Sequence, residues 1–286
     1  MNIQSLSIVV PTGKCWNKCP YCVSRQHCET YGKSMITLTT KTLPEQYLNR
    51  MKFVREEGCN TMIITGTAEP QQNLPFIYAL LAANKELPKP FYNISIQTTG
   101  AGMTESDIQK LAEAGVTTLA LSLSSINSER HWQLTCTPAK LRTCSIESLI
   151  KAAKDNHMNV RACFNLTDEY NYITPAFFFK WCHELDVDQA TFRKIYADGE
   201  TQQAQWCREH KFNSHAWDEI RSYIRTAGKK IAVLPYGFIQ YSVHGISTVI
   251  DDDCMSKDNI YENKYAILRP NGHLYSRWDD TGSLIF

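Results

Sequence analysis

Three cysteines stand close together near the start of the chain. In "PTGKCWNKCPYCVSRQHC", residues 11–28, Cys15, Cys19 and Cys22 fall at i, i+4 and i+7, and Cys28 closes the stretch. Thiolates serve as metal ligands, redox partners or nucleophiles, so several chemistries are open. Zinc takes four ligands in structural sites, usually from paired CxxC knuckles. Only Cys19 and Cys22 form such a pair here, and Cys28 or His27 can complete the set. A redox pair would be Cys19-Pro20-Tyr21-Cys22, which leaves Cys15 idle. An iron–sulfur cube prefers thiolates. With three thiolates, one of its irons stays open to a substrate or cofactor.

Composition narrows the choice. The 286 residues carry a formal net charge of +1 and are 43% hydrophobic, enough to bury a sizeable core in one large domain or two small ones. No apolar run reaches the length that spans a bilayer, and the opening "MNIQSLSIVVPTGK" lacks the basic and long apolar regions of a signal peptide. The expectation is a cytoplasmic protein in a reducing compartment, where structural disulfides are rare. Eleven cysteines, an odd count, also argue against a full disulfide framework. A near-neutral balance gives no support for a broad nucleic-acid face.

The elements that must position the cysteines alternate. Short β-rich runs at residues 6–10, 61–65, 93–97, 117–123, 159–165 and 190–195 read as six strands. Helical patterns fill the gaps. Tyr47, Met51 and Val54 share a face and Gly58 supplies a left-handed stop; Thr104 caps a helix with Asp107 three residues on, and Gly115 ends it. Strand–helix repetition calls for a parallel sheet with right-handed crossovers. Residues 265–278, "YAILRPNGHLYSRW", read as a β-hairpin around Pro270-Asn271-Gly272 in a C-terminal extension. The cysteines then lie in the loop after the first strand, at the sheet edge where parallel α/β folds bind ligands.

On these residues the chain resembles the radical S-adenosylmethionine (radical SAM) enzymes. The Cys15-x-x-x-Cys19-x-x-Cys22 spacing with an aromatic at Tyr21 is similar to that superfamily's cluster motif. "TGTAEP" after the second strand resembles its Gly-Gly-Glu-Pro stretch, with Thr67-Ala68 in place of the second glycine. The resemblance covers about the first two-thirds of the chain. It implies an α/β fold, a partial (β/α)6 barrel of parallel strands over residues 1–230 with a C-terminal extension at 231–286. It implies a [4Fe–4S] cluster on Cys15, Cys19 and Cys22, and S-adenosylmethionine chelating the open iron. Cofactor contacts would come from Tyr21, from Gly66, Thr67 and Glu69 around the methionine amino group, and from Thr98 near the methionine carboxylate. Ser122 would lie near the ribose or carboxylate, Arg161 on the carboxylate, and Ile195 against the adenine. An electron from a donor such as flavodoxin or ferredoxin would cleave the cofactor, and a 5′-deoxyadenosyl radical would take a hydrogen atom from a peptide or small-molecule substrate.

Other residues have plainer readings. "YGKS" lacks the first glycine of a phosphate loop. Arg130-His131-Trp132 reads as a surface helix start, "FFFKW" as core, and Cys59, Cys163 and Cys182 as small buried hydrophobes. Cys254 follows Asp251–Asp253 in a tail expected near the barrel mouth. Nearby carboxylates favour its S–H form, the form a hydrogen-atom donor needs. The competing function is a zinc-stabilised interaction or nucleic-acid-binding module, colourless where an iron–sulfur protein is brown.

Overall fold

The computed structural model describes residues 2–27, 43, 45–234, 238–251, 262–278 and 282–286. Cys28, Cys254 and the stretch 31–34 lie outside the described residues. The first strand, β1 (Asn2–Val9), leads into the cysteine loop and the short helix α1 (Val23–Gln26). Helix α2 (Glu45–Glu56) leads to β2 (Thr61–Thr65), α3 (Leu74–Lys85) to β3 (Asn93–Thr98), and α4 (Glu105–Ala114) to β4 (Thr118–Leu123). Then follow α5 (Ser128–Leu134), α6 (Ile146–Asp155), β5 (Asn159–Leu166), α7 (Pro175–Glu184) and β6 (Gln189–Lys194). Helices α8 (Gln202–Glu209) and α9 (Ser214–Ala227) precede β7 (Gly228–Val233), β8 (Ile239–Val243) and β9 (Ile246–Asp251). Strands β10 (Glu262–Leu268) and β11 (Leu274–Tyr275) form the hairpin read from the sequence, with Leu268 opposite Leu274.

All eleven strands join one open sheet in the order β11-β10-β1-β2-β3-β4-β5-β6-β9-β8-β7. Strands β1 to β6 pair in parallel, as the alternation requires. The partial barrel is wider than six strands, because β10 adds in parallel to β1 and β9 in parallel to β6. Residue 230 falls inside β7, and strands from beyond it flank both ends of the six-strand run. No helix among the described residues is long and apolar enough to cross a membrane.

The two faces of the strands differ sharply. Ile94 and Ile96 of β3, Leu119, Leu121 and Leu123 of β4, and Phe164 of β5 bury themselves under the helices. Phe164 packs against Phe178, Phe192 and Trp181 with ring centroids 4.9, 5.2 and 5.9 Å away. Most of "FFFKW" is core as expected, with Phe177 exposed. Cys59, Cys163 and Cys182 are buried. The opposite, inward face carries Ser7, Gln97, Arg161, Gln189, Thr191, Arg193, Ser247 and Asp251 around a cavity of about 680 Å3. Barrels filled by bulky branched side chains are packed solid. This one mixes polar side chains with apolar ones such as Ile63, Phe238 and Val249, and it holds space.

Candidate active site

The cysteine loop has no regular structure of its own, so its backbone groups need partners elsewhere. A 3-10 turn at Pro70–Asn73 supplies most of them. Asn73 Nδ2 donates to the Pro11 carbonyl at 2.7 Å, and Gln72 Nε2 donates to the Lys14 carbonyl at 3.0 Å. Gln72 Oε1 in turn accepts the Trp16 N–H at 3.0 Å. From the other side the Thr135 carbonyl accepts the Lys18 N–H at 3.1 Å and the Cys19 thiol at 3.6 Å. Asn17 sits between Cys15 and Cys19 and ties both sides together. Its Nδ2 donates to Glu69 Oε1 and Thr99 Oγ1, while its Oδ1 accepts from Thr137 Oγ1.

Glu69 is the centre of this network. It is buried, at 6% exposure, and its carboxylate accepts five hydrogen bonds. The donors are Asn17, Gln71, the Thr98 hydroxyl at 2.6 Å, and the N–H and hydroxyl of Thr99 at 3.1 and 2.7 Å. A buried carboxylate is tolerated when its lone pairs are filled in this way.

The thiols of Cys15, Cys19 and Cys22 rim a second cavity, of about 230 Å3, at the carboxyl ends of the strands. Burial pushes Cys19 well above the usual thiol range, and the charges of Cys22, Glu69 and Cys15 add to the effect. Burial raises Cys15 and Cys22 as well, against backbone N–H groups that pull them down. Three half-buried thiolates beside a buried carboxylate are stable only with compensating positive charge. A cationic metal centre supplies it, so the donor set fits a thiolate-bound cluster. Among the described residues no three His, Cys, Asp or Glu side chains converge as ligands of a single ion. The thiols stand around a shared space.

Of the residues singled out in the sequence, Tyr21, Gly66, Thr67, Glu69, Thr98, Ser122 and Ile195 line this same cavity with the cysteines. The Tyr21 hydroxyl shares a short hydrogen bond with the Ser124 hydroxyl, and burial raises it well above the usual phenol range. The Thr98 hydroxyl is engaged with Glu69 and accepts the Gly100 N–H. Arg161 is not brought here. It lies three residues into β5, too far from the strand's carboxyl end, and lines the larger cavity; Asn165, four residues on, reaches the smaller one. The two cavities are neighbours, sharing Val23, Ser24, Gly66, Gln97 and Arg193.

Sequence reasoning passed over Asn17, Gln71, Gln72 and Thr99, although "PQQN" directly after Glu69 is an amide-rich signal for holding a loop. It also misplaced His131 and Trp132. Both are buried, because α5 packs against the ends of β3 and β4: His131 Nε2 donates to the Thr99 carbonyl at 3.1 Å, and Nδ1 accepts the Ser124 N–H at 3.2 Å.

The family model described as the Radical SAM superfamily matches residues 9–167. No curated protein matches the sequence. In fold the chain is similar to the crystal structure of Streptococcus suis SuiB bound to precursor peptide SuiA, with a TM-score of 0.58 and 13% identity over 96% of this chain and 59% of that one. Native anSMEcpe with bound AdoMet and Kp18Cys peptide gives a TM-score of 0.57 and 15% identity over 98% of this chain and 75% of that one. The Escherichia coli coproporphyrinogen III oxidase HemN, described as a radical SAM enzyme, gives 0.51 and 15% over 80% and 54%. The chain thus spans about three-fifths of the length of SuiB.

Proposed function

The chain belongs to the radical SAM superfamily and is an enzyme with that family's S-adenosylmethionine and iron–sulfur chemistry, and from this premise we propose that Cys15, Cys19 and Cys22 hold a [4Fe–4S] cluster at which S-adenosylmethionine is reductively cleaved. A cluster bound there would supply the electron, drawn from a donor of the flavodoxin or ferredoxin kind, for reductive cleavage of S-adenosylmethionine, and with it the means to take a hydrogen atom from the substrate. The observation that carries this reading is the small cavity itself. Its rim brings three thiols together with Glu69, Thr98, Ser122 and Ile195, and it shares part of its wall with a larger chamber.

The chain's own residues then bind, orient and shield. The network around Glu69 holds the cysteine loop, and Ile195 offers an apolar surface for the adenine. The enclosing strands keep solvent from a reactive carbon radical. The substrate is a peptide or a small molecule; the peptide-bound structures of SuiB and anSMEcpe support the first and HemN the second. The segment 231–286 is an extension whose described strands β8 to β10 contribute to the chamber wall, and Cys254, which lies outside the described residues, is assigned as a hydrogen-atom donor on the chemistry of its thiol alone.

The test is anaerobic reconstitution. The brown protein should hold about four irons and four sulfides per chain, as a single [4Fe–4S] cluster requires, and with dithionite it should slowly release 5′-deoxyadenosine and methionine. Ala at position 15, 19 or 22 should abolish both, while Cys28→Ala should keep them. A colourless zinc protein, or a cluster lost only with Cys28, would overturn the assignment.

A further inference from the structure

Among the described residues, the larger cavity holds one positive charge without an ion-pair partner. Among the described residues lining it, the charged ones are Arg161, Arg193 and Asp251. Arg193 and Asp251 face each other in register on β6 and β9, and Arg193 Nε donates to Asp251 Oδ2 at 2.9 Å. Arg161 stands apart. Its register partners are Ala120 on β4 and Gln189 on β5's other neighbour, β6. Its Nε donates to Gln189 Oε1 at 2.7 Å, and it forms no ion pair with any described residue. A guanidinium is always charged, and it presents a planar fork of donors that matches a carboxylate or phosphate in bidentate geometry. Holding one half-buried with only an amide beside it is costly unless an anion completes it.

We propose that Arg161 is the anchor for an oxyanion group, a carboxylate or a phosphate, on the substrate whose hydrogen atom is taken. The assignment rests on the proposed radical reaction. Three observations carry it. Arg161 lines the chamber and not the cysteine-lined cavity. The chamber shares Gly66, Gln97 and Arg193 with that cavity, so a substrate anchored at Arg161 can extend its far end toward the cofactor. Beside Arg161 the wall carries the neutral polar groups of Gln189, Ser247 and Gln240, whose Nε2 donates to Ser247 Oγ at 2.7 Å, among uncharged residues such as Ala190 and Val249. Such a lining accepts the polar body of an anionic molecule without adding a second fixed charge.

The experiment is calorimetric titration of the cluster-loaded protein, with S-adenosylmethionine present, using inorganic phosphate and malonate as probes. Saturable one-to-one binding of at least one anion is expected, and the stronger of the two identifies the group. Arg161→Gln should weaken that binding at least tenfold, whereas Arg161→Lys, which keeps the charge without the fork, should retain it within tenfold. Circular dichroism checks that both variants fold, and Arg161→Met, which removes the charge but keeps a long side chain, takes the place of the glutamine variant if that one does not; it too should weaken binding at least tenfold. No saturable binding of either anion, or equal binding by wild type and Arg161→Gln, would overturn the proposal. So would a loss in Arg161→Gln that fell on S-adenosylmethionine and not on the anion. Anion binding through Arg161 in a protein that makes no 5′-deoxyadenosine would sink the radical reading and leave the anion site standing; the reverse pattern would sink only the anion site.

Discussion

Asn17 Nδ2 lies 3.1 Å from Glu69 Oε1, joining the middle of the cysteine loop to the end of β2. The bond places a carboxylate directly under the loop that carries the thiols. It also shows what Glu69 does with its lone pairs: they are spent on Asn17, Gln71, Thr98 and Thr99. The family resemblance puts Glu69 in the stretch that holds the methionine amino group. The geometry gives its side chain a loop-holding task within that stretch.

Glu69→Gln tests that task. The surrounding groups are all donors, so an amide NH2 would face N–H and O–H groups and leave part of the network unmade. Losing charged hydrogen bonds at a buried site costs on the order of 1.5–3 kcal/mol. The expected outcome is a lower melting temperature and a reduced iron and sulfide content after reconstitution. If stability and cluster content matched wild type while S-adenosylmethionine binding fell, the carboxylate would be a cofactor contact instead.

The parts of the fold written in local chemistry were legible. Thr104 and Asp107 form the reciprocal capping box read from "TESD", and Gly115 and Gly58 take φ of +117° and +88° at the stops assigned to them. The cysteine spacing was legible because three thiols so close together have few uses. The chamber was not. "NISIQ" and "LSLS" alternate apolar and polar residues, yet a parallel strand buried on both faces should run continuously apolar. That alternation is the mark of a wet interior, and its meaning depends on which strands close around it. Two of them, β9 and β10, come from a C-terminal segment whose pairing with β6 and β1 no local pattern announces. Burial of His131 escaped notice for the same reason: its partners Thr99 and Ser124 are brought to it by the ends of other strands.

Gly100→Ala should be among the most damaging single-methyl changes. Gly100 has φ +91°, and a Cβ there would stand 2.5 Å from Leu149 Cδ1 and 3.4 Å from Trp132 Cη2, both in buried side chains. Left-handed strain and overpacking together cost roughly 2–5 kcal/mol. Gly58→Ala is the control: φ is +88°, no atom lies within 4 Å, and only the backbone strain of about 1–2 kcal/mol applies. Urea midpoints of the two variants should separate clearly. Equal losses would mean that Leu149 gives way without cost.

His131 should make the protein acid-sensitive in a defined window. Burial holds its imidazole down at about 4, from an ordinary value of 6.5. The folded ring is neutral because Nδ1 must accept from the Ser124 N–H, and a proton there would break that bond. In the unfolded chain the ring takes up its proton near pH 6.5. Between pH 6.5 and about 4 the unfolded state therefore binds more protons than the folded one, so stability rises with pH across the window and is lost on acidification. At about 1.4 kcal/mol per pH unit, the full effect is on the order of 3 kcal/mol. His131→Asn can keep an acceptor for Ser124 but does not titrate. Wild-type and variant urea midpoints, taken from pH 7 down to 4.5 on the same apo protein, isolate the term, because the other acidic groups cancel in the difference. The variant should start lower at pH 7 and fall less steeply, so that the two curves converge as the pH drops. Parallel curves would show that His131 takes up its proton in the fold as readily as in the unfolded chain. The bond from the Ser124 N–H, and with it the link from β3 to β4 and the seat of Tyr21 against Ser124, would then be broken by acid.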